Sequence, residues 1–179
     1  MELTRDQMEK RIKWALWLFV VGLVLSGLSV FPLVAEVDWL NHWMGGNTAF
    51  GTQFPELGQW VTQVNRALVY TNQEYPFIFY GTDWLGFAHL MIAVVFIGPL
   101  RDPVRNVWVI EFGMIACVLV VPFAFLCAPW REIPIFWTLA DCSFGIIGIL
   151  PLWYARSLVT RLEALPQAQM WELSIPWQS

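Results

Sequence analysis

Four segments of this chain, at about residues 14–34, 84–100, 107–127 and 135–154, are apolar almost from end to end. Each is roughly 17 to 21 residues long, which is what a helix needs to cross about 30 Å of hydrocarbon. A bilayer accepts such segments only when the backbone satisfies its own hydrogen bonds, and at this length that means α-helix. The expected fold class is therefore all-α, an integral membrane four-helix bundle forming one domain over residues 1–179. Composition agrees. The chain is 58% hydrophobic and 13% charged, against about 25% charged in a soluble domain.

The first segment follows a basic stretch and has the outline of a signal peptide. Its apolar run is about 20 residues, beyond the 7–15 of a signal core, and no A-x-A site follows, so it reads as a membrane span. Residues 35–83 form the one long loop, with Glu36, Asp38, Glu56 and Glu74 against a single Arg66. Within it Leu57, Trp60, Val61, Val64 and Leu68 recur at helical spacing. Pro55 suits a helix start, because its missing N–H has no partner there anyway. An amphipathic helix is expected over about 56–70. It is poor in lysine and arginine, which favours capping the bundle over reading lipid headgroups.

The second span ends at Pro99 and the Arg101-Asp102-Pro103 turn, so it forms a hairpin with the third. Pro122 inside the third span is tolerated if neighbours satisfy the freed carbonyl. A turn at Ala128-Pro129-Trp130-Arg131-Glu132 leads to the fourth span, and residues 155–179 are a polar tail bearing Pro166, Trp171, Pro176 and Trp177. A tail of this kind is ordered only when something ties it down.

Orientation follows from the basic residues. Arg5, Lys10, Arg11, Lys13, Arg101, Arg105, Arg156 and Arg161 fall on one side, and Arg66 and Arg131 on the other. The positive-inside rule puts both termini in the cytoplasm and the 35–83 loop outside. Trp14, Trp39, Trp84, Trp108, Trp130 and Trp153 fall at span ends, as aromatic belts do. There is no basic stripe to follow phosphates, which argues against nucleic acid as a partner.

Small residues mark where membrane helices approach closely. The candidate stripes are Gly22, Ser26 and Ser29 in the first span and Gly86, His89 and Ala93 in the second. In the third they are Gly113, Ala116, Cys117 and Ala124, and in the fourth Thr138, Asp141, Cys142, Gly145 and Gly148. These stripes turn His89 and Asp141 inward. Both lie roughly 8–9 Å along their helices at 1.5 Å per residue. The expectation is a buried His89–Asp141 pair. Ionisable groups in a span are functional candidates by default.

The pair has several readings: a structural interhelical hydrogen bond, a proton relay, or part of a quinone, pigment or haem site. Haem with two histidine ligands would need His42 to fold in from the loop. A metal site made of His89, Asp141 and Cys142 is disfavoured, since adjacent helix residues point about 100° apart. Asp83 sits shallower at the mouth of the second span. Glu111 lies near the basic end of the third, within reach of Arg101, Arg105 or Arg156 by snorkelling. Cys117, Cys127 and Cys142 form no CxxC and read as small packing residues. No nucleophile motif, HExxH, Walker loop or CxxCH is present.

The stretches Tyr75–Trp84, Ala88-His89, Gly98–Pro103, Ile133–Trp137 and Ala140–Gly145 resemble a group of uncharacterised bacterial four-span inner-membrane proteins. The resemblance covers about half the chain. It implies a bacterial inner-membrane location with this layout, and it implies no activity, cofactor or site residue.

Three functions follow as expectations. The first is a non-catalytic integral membrane subunit that assembles or stabilises a larger complex of respiratory or photosynthetic type. The second is a binder of a quinone, pigment, haem or other small molecule at the His–Asp pair. The third is a proton-coupled transporter, which the lack of an internal repeat disfavours.

Overall fold

The computed structural model describes residues 4–174, and side chains up to residue 165. Among the described residues the chain is all helix, in the order α1 (Arg5–Ser29), α2 (Leu33–Met44), α3 (Ala49–Gln53), α4 (Pro55–Glu74), α5 (Phe79–Val95), α6 (Ile97–Arg101), α7 (Val107–Cys127) and α8 (Ile135–Ser174). Short 3-10 turns lie at Pro76–Ile78 and Pro129–Arg131. Four helices are long and apolar enough to cross a membrane: Arg5–Ser29, Pro76–Arg101, Val107–Cys127 and Ile135–Leu165.

The bounds differ from the expected spans in instructive places. The second span begins at Pro76 rather than near Trp84, because Pro76 starts a turn that feeds directly into α5. The fourth does not stop near Tyr154. α8 runs on to Ser174, roughly 60 Å at 1.5 Å per residue, so most of the expected tail is helix. Nothing between Tyr154 and Leu165 is Gly or Pro, the usual stops, and the helix then continues through Pro166. Pro176 and Trp177 lie outside the described residues.

The chain divides into two compact units, residues 1–22 with 93–179 and residues 23–92. In the first unit α7 and α8 run against each other. The buried face of α8 is Thr138, Cys142, Gly145, Leu152, Ala155, Leu158, Val159 and Leu162, spaced mostly by three and four residues, which keeps one stripe toward a neighbour. Gly145 is where backbones come closest: a Cβ there would collide with the Cys117 carbonyl. A Cβ on Gly113 would stand 2.9 Å from both Leu152 and Phe96. Phe96, Ile12, Leu16, Ile110 and Leu152 are fully buried, and Phe96 packs against Phe19 with ring centres 4.9 Å apart.

The second unit contains more helix than its loop-like composition suggests. The expected helix over 56–70 is α4, Pro55–Glu74. α2 precedes it where a loop is expected. Its less exposed positions are Leu33, Val34, Val37, Leu40, Asn41 and Met44, which is 3.6-residue periodicity readable from the sequence. Glu36 and Asp38 lie between those positions, on the exposed side, and make the segment look like loop.

The α2–α4 contact is held by polar groups. The Thr62 hydroxyl donates to the Asn41 side chain at 2.8 Å and accepts from the Gly46 N–H at 3.0 Å. Asn65 donates to Asp38 at 3.2 Å. Thr48 caps α3 by accepting from the Gly51 N–H at 3.0 Å. Elsewhere in this unit Gly27 and Gly86 face each other. A Cβ on either would meet the other's carbonyl oxygen, at 2.9 and 2.8 Å. The α1 stripe expected at Gly22, Ser26 and Ser29 is therefore displaced. Gly22 and Ser26 are exposed and Gly27 is buried.

Candidate functional site

His89 lies on α5 and is half-buried. Its Nδ1 is 2.8 Å from the Leu85 carbonyl one turn back. A carbonyl can only accept, so Nδ1–H donates. In the neutral ring Nε2 then carries the free lone pair. The base of the side chain backs onto α1: a Cβ on Gly27 would stand 3.1 Å from the His89 Cβ. His89 is thus fixed at its root, with one nitrogen committed within its own helix and the other carrying a lone pair.

Asp141 departs from expectation. It is exposed, not buried. The inward stripe of α8 passes through Thr138, Cys142 and Gly145, and Asp141 is offset from Cys142 by about 100° of helix rotation. One narrow stripe cannot hold both residues. His89 and Asp141 fall in different units. Cys142 is buried and Asp83 is half-buried. All three cysteines are free thiols.

His42 is exposed on α2 and meets Trp43 edge-on at 5.3 Å. Among the described residues no three His, Cys, Asp or Glu side chains gather in a geometry fit for a metal ion.

Glu111 is part of a defined network. Of the three arginines within sequence reach, Arg156 takes it. Its Nε donates to Glu111 Oε1 at 2.8 Å, linking α7 to α8. The same guanidinium donates to the Thr160 hydroxyl at 2.7 Å and stands 4.0 Å from Glu163. Arg156 is 29% and Glu111 47% exposed, so water screens the pair in part. Its physical content is a clasp at the charged ends of two spans.

Beside this clasp lies a cavity of about 750 Å³ lined by the start of α1, the Arg101–Arg105 turn and the Leu162-Glu163 step of α8. In the sequence Arg5 and Lys13 stand as markers of orientation, and Arg101 and Arg105 also as candidate partners of Glu111. The signal that could have joined them is spacing. Arg5, Glu9 and Lys13 are four residues apart and share one side of a helix.

Comparison with protein-family models, with curated proteins and with solved structures finds no match to this chain.

Proposed function

We propose that this chain is a non-catalytic subunit of a larger complex in the bacterial inner membrane, with both termini in the cytoplasm and residues 35–83 on the outer side. The observation that carries the proposal is Asp141. It lies two turns into an apolar span and is exposed, with exposed Leu139 and Phe144 near it. A carboxylate facing hydrocarbon costs about 2.5 kcal/mol or more at the centre of a span. Another polypeptide that covers it and offers a hydrogen bond removes that cost. The spans themselves agree, since at most 22% of the most apolar window of any one is buried within the chain. The eight-to-two distribution of basic residues supports the orientation.

The test is purification of the tagged protein from its native host in mild detergent, followed by native mass spectrometry and an absorbance scan. The expected result is a stoichiometric complex that loses its partners at least about tenfold more readily in Asp141→Leu, an effect of about 1.4 kcal/mol. A lone chain whose behaviour is indifferent to Asp141 overturns the proposal.

A second reading, a binder of a quinone or pigment, draws on the free Nε2 of His89. It calls for an extractable or coloured cofactor in the same scan, and for its loss in His89→Ala.

A further inference from the structure

We propose that the cavity at the basic end of the molecule is a binding site for the phosphate group of an anionic phospholipid. Three elements of one unit build it. α1 contributes Arg5, Glu9 and Lys13, the turn after α6 contributes Arg101 to Arg105, and α8 contributes Leu162 and Glu163. Its volume of about 750 Å³ falls within the ~300–1,000 Å³ usual for small-ligand sites.

The charge balance favours an anion. Four cationic side chains (Arg5, Lys13, Arg101 and Arg105) and three acidic ones (Glu9, Asp102 and Glu163) line the cavity, and two of the acids face a cation. Glu9 is paired with Arg5 at 3.1 Å, and Glu163 stands 4.0 Å from Arg156. Asp102 accepts from the backbone N–H of Arg105 at 3.0 Å, which holds it in the turn and leaves its charge in place. Among the described residues Lys13, Arg101 and Arg105 have no carboxylate within 4.0 Å. The lining keeps a net positive charge, with Lys13, Arg101 and Arg105 free to meet a ligand, and it holds an anionic phosphate better than a zwitterionic headgroup, which brings no net charge.

The walls are firm. Asn106 donates to the carbonyls of Gly98 and Asp102 at 3.3 and 2.9 Å, which holds the turn. Pro103 and Leu162 are buried beside it. The cations are therefore presented from a fixed frame rather than from a loose loop.

Depth selects a lipid over a diffusible phosphate. Lys13 immediately precedes the apolar run that starts at Trp14, and Arg101 immediately follows the one that ends at Leu100. Both stand at the hydrocarbon boundary, where headgroup phosphates lie. The assignment to the cytoplasmic leaflet rests on the orientation proposed above. The site itself does not, because anionic lipid is supplied to either face in the assay below.

The full chain is purified in neutral detergent, exchanged with equimolar phosphatidylglycerol and phosphatidylcholine, and read by native mass spectrometry. Retained phosphatidylglycerol is expected to exceed phosphatidylcholine about tenfold, given the attraction each basic residue exerts near the surface. The preference should vanish in Lys13→Gln/Arg101→Gln/Arg105→Gln and persist in Arg131→Gln at the other end. If the triple variant does not fold, the wild-type preference must still fall severalfold from low to high salt. Equal retention of the two lipids, or a preference that the triple variant or salt leaves intact, overturns the site. Displacement of the lipid by equimolar glycerol phosphate overturns the lipid assignment in favour of a soluble phosphate compound. Partner chains play no part in this readout, so it stands or falls separately from the subunit proposal.

Discussion

The two units of the molecule hold together by different means. In residues 1–22 with 93–179, large apolar side chains interlock: Ile12 and Leu16 of α1, Phe96, Ile110 of α7, and Leu152 and Val159 of α8 are all buried. In residues 23–92, Val61 is the one buried apolar side chain among those described. The remaining buried positions there are Gly27, Gly45, Gly51, Gly58 and Gly86. That unit brings backbone against backbone and ties its helices with the Asn41–Thr62–Gly46 hydrogen bonds. Side-chain packing tolerates small adjustments of rotamer. Backbone contact and shared hydrogen bonds tolerate almost none, and they stabilise less when lost singly. Two units of one small chain thus differ in what kind of substitution damages them.

The sharpest way to break this comparison is at the one place where the first unit also relies on backbone contact. Gly145→Leu must push α8 off the Cys117 carbonyl, and over-packing costs about 1–3 kcal/mol, with a backbone obstacle at the upper end. A large fall in the thermal unfolding midpoint in detergent is expected. An unchanged midpoint would mean that the α7–α8 contact is not the core of this unit. In the second unit, Thr62→Val keeps the side-chain shape and removes both hydrogen bonds. A loss of about 1–3 kcal/mol is expected, seen most directly as faster amide exchange at Gly46 with little change at Ile110. Equal effects at both would dissolve the distinction between the units. The smallest effect is expected at Gly22, where an added Cβ meets nothing within 4 Å. Gly22→Ala should be neutral or stabilising by up to about 1 kcal/mol, through helix propensity alone. A loss there would restore the stripe expected from the sequence.

The differences in which helix face is covered share one cause. A stripe of small residues marks a helix face only to within a residue or so, since neighbours on a helix differ by 100°. Gly22 and Gly27 are both glycines on α1, and only the position of Gly86 decides that Gly27 is the contact. Asp141 and Cys142 are adjacent, and only the path of α7 decides that Cys142 is inside. The Arg156–Glu111 clasp was narrowed by sequence to three arginines, and the register of α7 against α8 selected one.

What the sequence determined by itself was what one solvent, the bilayer, imposes along a single chain. Apolar length sets the number of helices able to cross. The same continuous apolar length sets the all-helical class, because a spanning strand of a closed barrel is only about half as long. Local periodicity was enough for α4, and would have been enough for α2 had the acidic residues on its outer face been discounted. The tertiary structure alone decided which side of each helix is covered, because that depends on the shape of a second surface that no local pattern encodes. It separated Asp141 from the buried stripe, left the second nitrogen of His89 free, and gathered Lys13, Arg101 and Arg105, more than eighty residues apart in sequence at the extremes, around one cavity.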